Sequence, residues 1–162
     1  MVSGTNRLVG VDTRTATVRR SWALDLDGPT LYALLRLRVA VFVVEQRALY
    51  PELDGRDLEE RTRHYWLADH EGTVLGTLRL LKEPDGGYRI GRVCTRADAR
   101  GRGLGAQLMT AAMAEAASKR CVLDAQTRQV PFYERFGFVT AGPEYVDDDG
   151  IGHVPMERRP AR

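Results

Sequence analysis

Residues 99–109 read ARGRGLGAQLM, three glycines in five positions with Arg100 before the first and Arg102 after it, followed by an apolar run of helical composition. Glycine is a poor helix former, so its repetition at a helix start calls for a reason. A chemical one is available. The start of a helix carries unpaired N–H groups and partial positive charge, and a glycine loop lets an anion reach that backbone. Arginines beside the loop add charge-assisted donors. This is phosphate-binding chemistry, and the plain alternative is a surface turn. A nucleotide-hydrolysing P-loop is excluded because no lysine follows the glycines. A dinucleotide fingerprint is disfavoured too. It needs G-x-G-x-x-G early in a βαβ unit, whereas here G-x-G-x-G follows what reads as an antiparallel meander.

The elements that must hold this loop are legible around it. Residues 17–26 read as a first strand. A helix follows from residue 28, with Asp27 or Gly28 as cap, Pro29 at its first position, and Leu31, Leu34, Leu35 and Val39 at helical spacing. The β-branched run 39–44 predicts that it ends near Phe42. Residues 45–63 are polar and irregular, long for a loop unless they serve a site. Three strands come next, HYWLADHEG, TVLGTLRLL and YRIGRVCT, joined by short turns that predict an antiparallel meander. After the glycine loop come a helix over 103–119, a buried strand CVLDAQ, and a short helix in VPFYERFGF closed by Gly137. A strand from Phe138, an acidic turn EYVDDDG and a last strand IGHVPMER complete the chain. The order predicts an α/β protein of the α+β type, with one mixed central sheet. Residues 1–16 read as a flexible tail and 17–159 as a single domain.

The 162 residues carry 24 basic and 22 acidic side chains, a net charge of +2. That balance argues against nucleic acid and membrane surfaces as partners, including RNA held by Arg96, Arg100 and Arg102. All basic residues but Lys82 and Lys119 are arginine, which suits anion recognition. Cys94 and Cys121 lie in apolar stretches without a C-x-x-C, which predicts reduced thiols and a cytoplasmic protein. No run of about 18 apolar residues suggests a membrane span. His64 and His153 have no metal-ligand spacing with each other or with cysteine, so no metal is expected.

Arg100-Gly101-Arg102-Gly103-Leu104-Gly105 resembles the R/Q-x-x-G-x-G/A signature of the GNAT superfamily of acetyl-CoA-dependent N-acetyltransferases. FYERFGF (132–138) is similar to that family's later aromatic-Tyr-x-x-x-Gly-Phe motif. LYALLRLRVAVFVVEQ (31–46), LDGRD (53–57) and DGIGHVPMER (149–158) resemble its ElaA-like branch. The resemblance implies the acyl-CoA N-acyltransferase fold, a splayed central sheet flanked by helices, with acetyl-CoA as co-substrate. The splay would lie between residues 89–95 and 121–126, opened by a bulge near Val93. Val93 and Thr95 would pair with the pantetheine arm like an added strand. Backbone amides of Gly101, Arg102, Gly103, Leu104, Gly105 and Ala106 would hold the pyrophosphate, with Arg100 adding charge. An N–H near Val93 or Cys94 would polarise the thioester carbonyl. Tyr133 stands where the family places its general acid. Gln126 stands where many members carry an asparagine that contacts the arm; it keeps the amide and lengthens the reach.

The implied acceptor is a small-molecule or peptide amine, which must lose a proton before attack. Glu45, His64 and His153 are the candidate bases. Each has a plainer role open to it, an exposed helix-end carboxylate for Glu45 and structural strand histidines for the other two. Acidic residues Asp54, Asp57, Glu59 and Glu60, and the run 147–149, could steer a cationic amine or simply face solvent. The function implied is direct acetyl transfer in a ternary complex. The alternative is a non-catalytic acyl-CoA sensor, and a homodimer is left open as an assembly.

Overall fold

The computed structural model describes residues 16–160. The tail expected at 1–16 lies, but for Ala16, outside the described residues. Strand β1 (Thr17–Trp22) is shorter than expected, because Ala23–Asp25 turn as a 3-10 segment. Helix α1 (Gly28–Arg38) starts as the sequence requires. The Asp27 carboxylate accepts from the Thr30 N–H at 2.6 Å, and a proline lies in the first turn. The helix does not stop near Phe42. Val39, Val41, Val43 and Val44 are stiff and crowd a normal turn, and the chain meets them with a wider π-helical segment, Val39–Glu45.

Strands β2 (Arg63–Ala68), β3 (Val74–Lys82) and β4 (Tyr88–Thr95) form the expected meander with β1. Helix α2 (Leu104–Ala116), strand β5 (Cys121–Gln126) and short helix α3 (Val130–Glu134) follow. Strands β6 (Val139–Thr140), β7 (Tyr145–Val146) and β8 (Gly152–Arg158) close the chain. β7 occupies part of what the sequence reads as an acidic turn. The sheet order is β1-β2-β3-β4-β5-β8-β6, with β7 also on β8.

β3 is buried on both faces, and this sets the layers. Towards one side, Leu78 and Leu80 join Leu104, Leu108, Met109 and Ala112 of α2 in the main core. A Cβ at Gly76 would sit 3.3 Å from the Leu108 side chain, so α2 packs directly on β3 there. Towards the other, Cys94 of β4 packs with Leu37, Val41 and Phe42 of α1 and its π-helical extension. Helices on both faces leave the strand ends as the place for a site.

Candidate active site

β4 and β5 run parallel and pair only at Tyr88↔Cys121 and Arg89↔Val122. Beyond Arg89 they part. The cause lies on the other edge of β4. Thr77 faces Cys94 and Arg79 faces Gly91, so Arg92 and Val93 together oppose Leu78. This is the bulge expected near Val93. Arg92 takes a left-handed φ of 56°, uncommon for a residue with a side chain. The bulged strand bends away and opens a cleft of about 1130 Å³.

One end of the cleft is the glycine loop. Gly101 and Gly103 have φ of 75° and 73°, and a Cβ at either would meet nothing within 4 Å. Backbone conformation, not crowding, therefore demands these two glycines. Gly105 differs: a Cβ there would lie 3.5 Å from the Phe132 ring, an ordinary contact. Gly103 begins α2 without a side-chain cap, and the first amide bonded back to it is that of Gln107, at 3.1 Å. The N–H groups of Leu104, Gly105 and Ala106, all lining the cleft, are thus left for an outside acceptor.

Tyr133 projects from α3 into the cleft, its ring edge-on to Phe132 and Phe138 with centroids 5.0 and 6.4 Å away. Its hydroxyl has no hydrogen-bond partner among the described residues. Burial, with a smaller push from Cys94 nearby, holds the phenol protonated well above its ordinary range. Burial likewise pushes the thiols of Cys94 and Cys121 up to about 12.

His153 lies on β8 between Gln126 of β5 and Tyr145 of β7. Its Nδ1 is 3.0 Å from the Ile151 carbonyl and 3.0 Å from Asp147 Oδ2, and its ring stacks on Tyr145 at 5.8 Å. Two acceptors at Nδ1 place the proton there and leave the Nε2 lone pair available.

The other two candidate bases fare differently. His64 does not line the cleft. It is buried in β2 with Nε2 2.9 Å from the Asp57 carbonyl, and burial lowers its pKa. It is a structural prop. Glu45 lines the cleft, but both its oxygens are taken by Arg100, at 2.6 and 2.9 Å, and that bond holds its carboxyl below the usual range. While that clasp holds, the carboxylate is a poor proton acceptor. Arg102 is exposed and does not line the cleft, while Gln126 does, its amide bonded to Gln46 at 2.8 Å and to Arg128 at 3.2 Å.

A model of the acetyltransferase (GNAT) domain matches residues 37–160. The chain belongs to the GNAT acetyltransferase family. A UPF0039 protein of Mycobacterium tuberculosis is 54% identical over 147 residues, covering 89% of this chain and 94% of that one. Protein ElaA of Escherichia coli is 38% identical over 142 residues, covering 83% and 90%. A crystal structure of an acyl-CoA N-acyltransferase from Pseudomonas aeruginosa is 40% identical and superposes with a TM-score of 0.81, covering 89% of this chain and 99% of that one. The chain is thus a GNAT acyltransferase of the ElaA-like kind, with the open mixed sheet of that fold.

GNAT enzymes bind acyl-CoA, and this cleft fits it. The uncapped amides of α2 suit a diphosphate, the unpaired edge of β4 suits an amide-bearing arm, and the lone hydroxyl of Tyr133 suits a sulfur leaving group. What sequence reasoning missed is a network of arginines and carboxylates, of which Arg79 and Arg92 line the cleft. Arg38, of α1, bonds Glu52 at 2.6 Å and also holds Asp57; Arg79 bonds Asp54 at 2.8 Å and Asp57 at 3.1 Å; Arg92 reaches Glu52 at 2.9 Å. Glu59 is paired with Arg56 at 2.9 Å. The acids of the long loop are therefore mostly spent on arginines, and steering of an amine by Asp54 and Asp57 is not supported. An arginine surplus beside an acidic loop was the available signal, but not its pairing. Asp147, Asp148 and Asp149 do line the cleft. Among the described residues no helix is long and apolar enough to cross a membrane, and no three metal-ligating side chains cluster.

Proposed function

We propose that this GNAT enzyme transfers an acetyl group from acetyl-CoA to a primary amine, directly, with both substrates held in the one cleft. The observation that carries the reading is Tyr133: a half-buried residue lining the cleft opened between β4 and β5, whose protonated hydroxyl has no partner among the described residues. When bound, acetyl-CoA supplies an activated thioester. The chain's own groups do the rest. The amides at the start of α2 fix the diphosphate, and the free edge of β4 at Val93 and Thr95 aligns the arm. An N–H at Val93 or Cys94, turned by the bulge, polarises a carbonyl oxygen placed there. His153 Nε2 removes a proton from the incoming ammonium, with Asp147 and the Ile151 carbonyl holding the ring at Nδ1. Tyr133 Oη gives its proton to the departing sulfur. Holding both reactants at attack distance supplies much of the rate. Thiols as protonated as Cys94 and Cys121 are weak nucleophiles, which favours direct transfer over an acyl-cysteine. Asp147, Asp148 and Asp149 favour a cationic acceptor, polyamine-like, aminoglycoside-like or a peptide N-terminus.

The test is CoA-thiol release from acetyl-CoA with a panel of such amines. Turnover is expected with at least one, and His153→Gln should lower kcat by about 100-fold or more with acetyl-CoA affinity kept. Full turnover by His153→Gln would remove the histidine from the reading; no turnover with any amine would count against acetyl transfer to amines.

A further inference from the structure

Where the π-helical segment ends, two consecutive side chains reach across the mouth of the cleft. Glu45 takes both terminal nitrogens of Arg100, in the loop after β4, at 2.6 and 2.9 Å. Gln46 accepts from Gln126 at the end of β5, at 2.8 Å. Residues 45 and 46 thus tie together the ends of the two strands that the cleft separates. The tie has a third point: Arg100 Nε donates to the Thr95 carbonyl at 3.1 Å, so the guanidinium lies over the end of β4. The wide turn sets up this reach, since Gln46 N–H bonds back to Val41 O at 3.0 Å, five residues earlier.

A guanidinium fork binds a carboxylate and a phosphate through the same paired N–H groups. Arg100 stands beside the uncapped amides of α2, the surface that suits a diphosphate. With Nε on the Thr95 carbonyl and both terminal nitrogens on Glu45, the paired donors that a diphosphate would use are already engaged. We propose that Glu45 is a displaceable anion: it holds Arg100 ready over the end of β4, and the diphosphate of the acyl-CoA must displace it to load. This rests on the acyl-CoA reading above. Glu45 is then a positioning residue that sets how tightly the cofactor is held and how readily product CoA leaves, since the carboxylate retakes the fork as CoA goes. A thioester that carries no phosphate group has no anion to make the exchange.

An ordinary contact residue weakens binding when removed; a competing anion does the opposite. The experiment is a calorimetric titration with CoA of wild type, Glu45→Gln, Arg100→Gln and the double variant. Both side chains are more than two-fifths exposed, 44% for Glu45 and 43% for Arg100, so these variants are expected to fold, and thermal melting checks it. Glu45→Gln should bind CoA about fivefold tighter, the scale of one partly exposed ion pair that no longer has to break. In the Arg100→Gln background the same change should give little gain. Equal or weaker binding by Glu45→Gln, or an undiminished gain without Arg100, would overturn the proposal. Failure of the wild type to bind CoA would instead fall on the acyl-CoA reading, and take this proposal with it.

Discussion

Tyr133→Phe is expected to lower kcat by about 100-fold or more, the usual worth of a positioned general acid, while leaving affinity for acetyl-CoA essentially unchanged. The split follows from where the hydroxyl sits. The ring's contacts are with Phe132 and Phe138, and phenylalanine keeps them. Only the Oη is lost, and no described residue depends on it. The protein should fold and bind as before, and the loss should appear in the step that expels a thiolate. That thiolate is a poor leaving group unless protonated or hydrogen-bonded as it departs. A phenol is protonated at neutral pH and burial raises its pKa further, so the acid is present whenever the site is loaded. Single-turnover and steady-state rates with a responsive amine, beside calorimetry with acetyl-CoA, check it. A variant with wild-type kcat would show that Tyr133 packs rather than donates. A protein that binds acetyl-CoA yet turns over no amine, with or without the hydroxyl, would be the sensor that the sequence left as an alternative.

Arg38→Met is expected to cost about 3–5 kcal/mol of stability near neutral pH, the range for breaking a buried ion pair from one side. Arg38 is 1% exposed, and it faces Glu52 and Asp57, themselves buried. Methionine fills much of the volume but leaves these carboxylates short of charge and hydrogen bonds. Acid should reveal the same network. Bonds from Arg38 and Arg79 hold the Asp57 carboxyl below its usual range against the opposing effect of burial, and Arg79 does the same for Asp54. A carboxyl whose folded pKa is depressed leaves the unfolded chain binding more protons in acid. Wild-type stability should therefore be full above the ordinary carboxylate range and fall as pH drops below about 4. The gap between wild type and Arg38→Met should narrow over the same window, because the stranded carboxylates then become neutral. Denaturant titrations at pH 7 and in acid measure both. A loss under about 1 kcal/mol at pH 7 would mean that the loop is not held by these charges.

Elements set by local chemistry were legible in the sequence: the Asp27 cap, the meander with its short turns, and the strand–glycine loop–helix unit. The splay and its bulge were legible only through the family motifs, since nothing in YRIGRVCT by itself says that Arg92 adopts a left-handed φ. The π-helical segment was half legible. Its β-branched run announces trouble for an α-helix, but widening and ending are both answers to it, and packing on Cys94 decides between them. The candidate bases show the same limit. Glu45, His64 and His153 were equals by residue type; tertiary contacts alone separate a carboxylate clasped by Arg100, a buried prop under Asp57, and an imidazole with its Nε2 left over. The six-membered network of Arg38, Arg79, Arg92, Glu52, Asp54 and Asp57 joins α1, the long loop, β3 and β4. Its partners are too far apart in sequence to be paired by inspection.

That the glycine loop holds the diphosphate of acetyl-CoA is open to calorimetric titration of wild type and Gly103→Glu with acetyl-CoA. Glutamate at position 103 brings a negative charge to the start of α2 and disfavours the φ of 73° that the loop requires. If the loop holds the diphosphate, the wild type binds acetyl-CoA saturably at one site and the variant loses that binding while staying folded by circular dichroism. A well-folded wild type that does not bind acetyl-CoA, or a variant that binds it as tightly as the wild type, would contradict it.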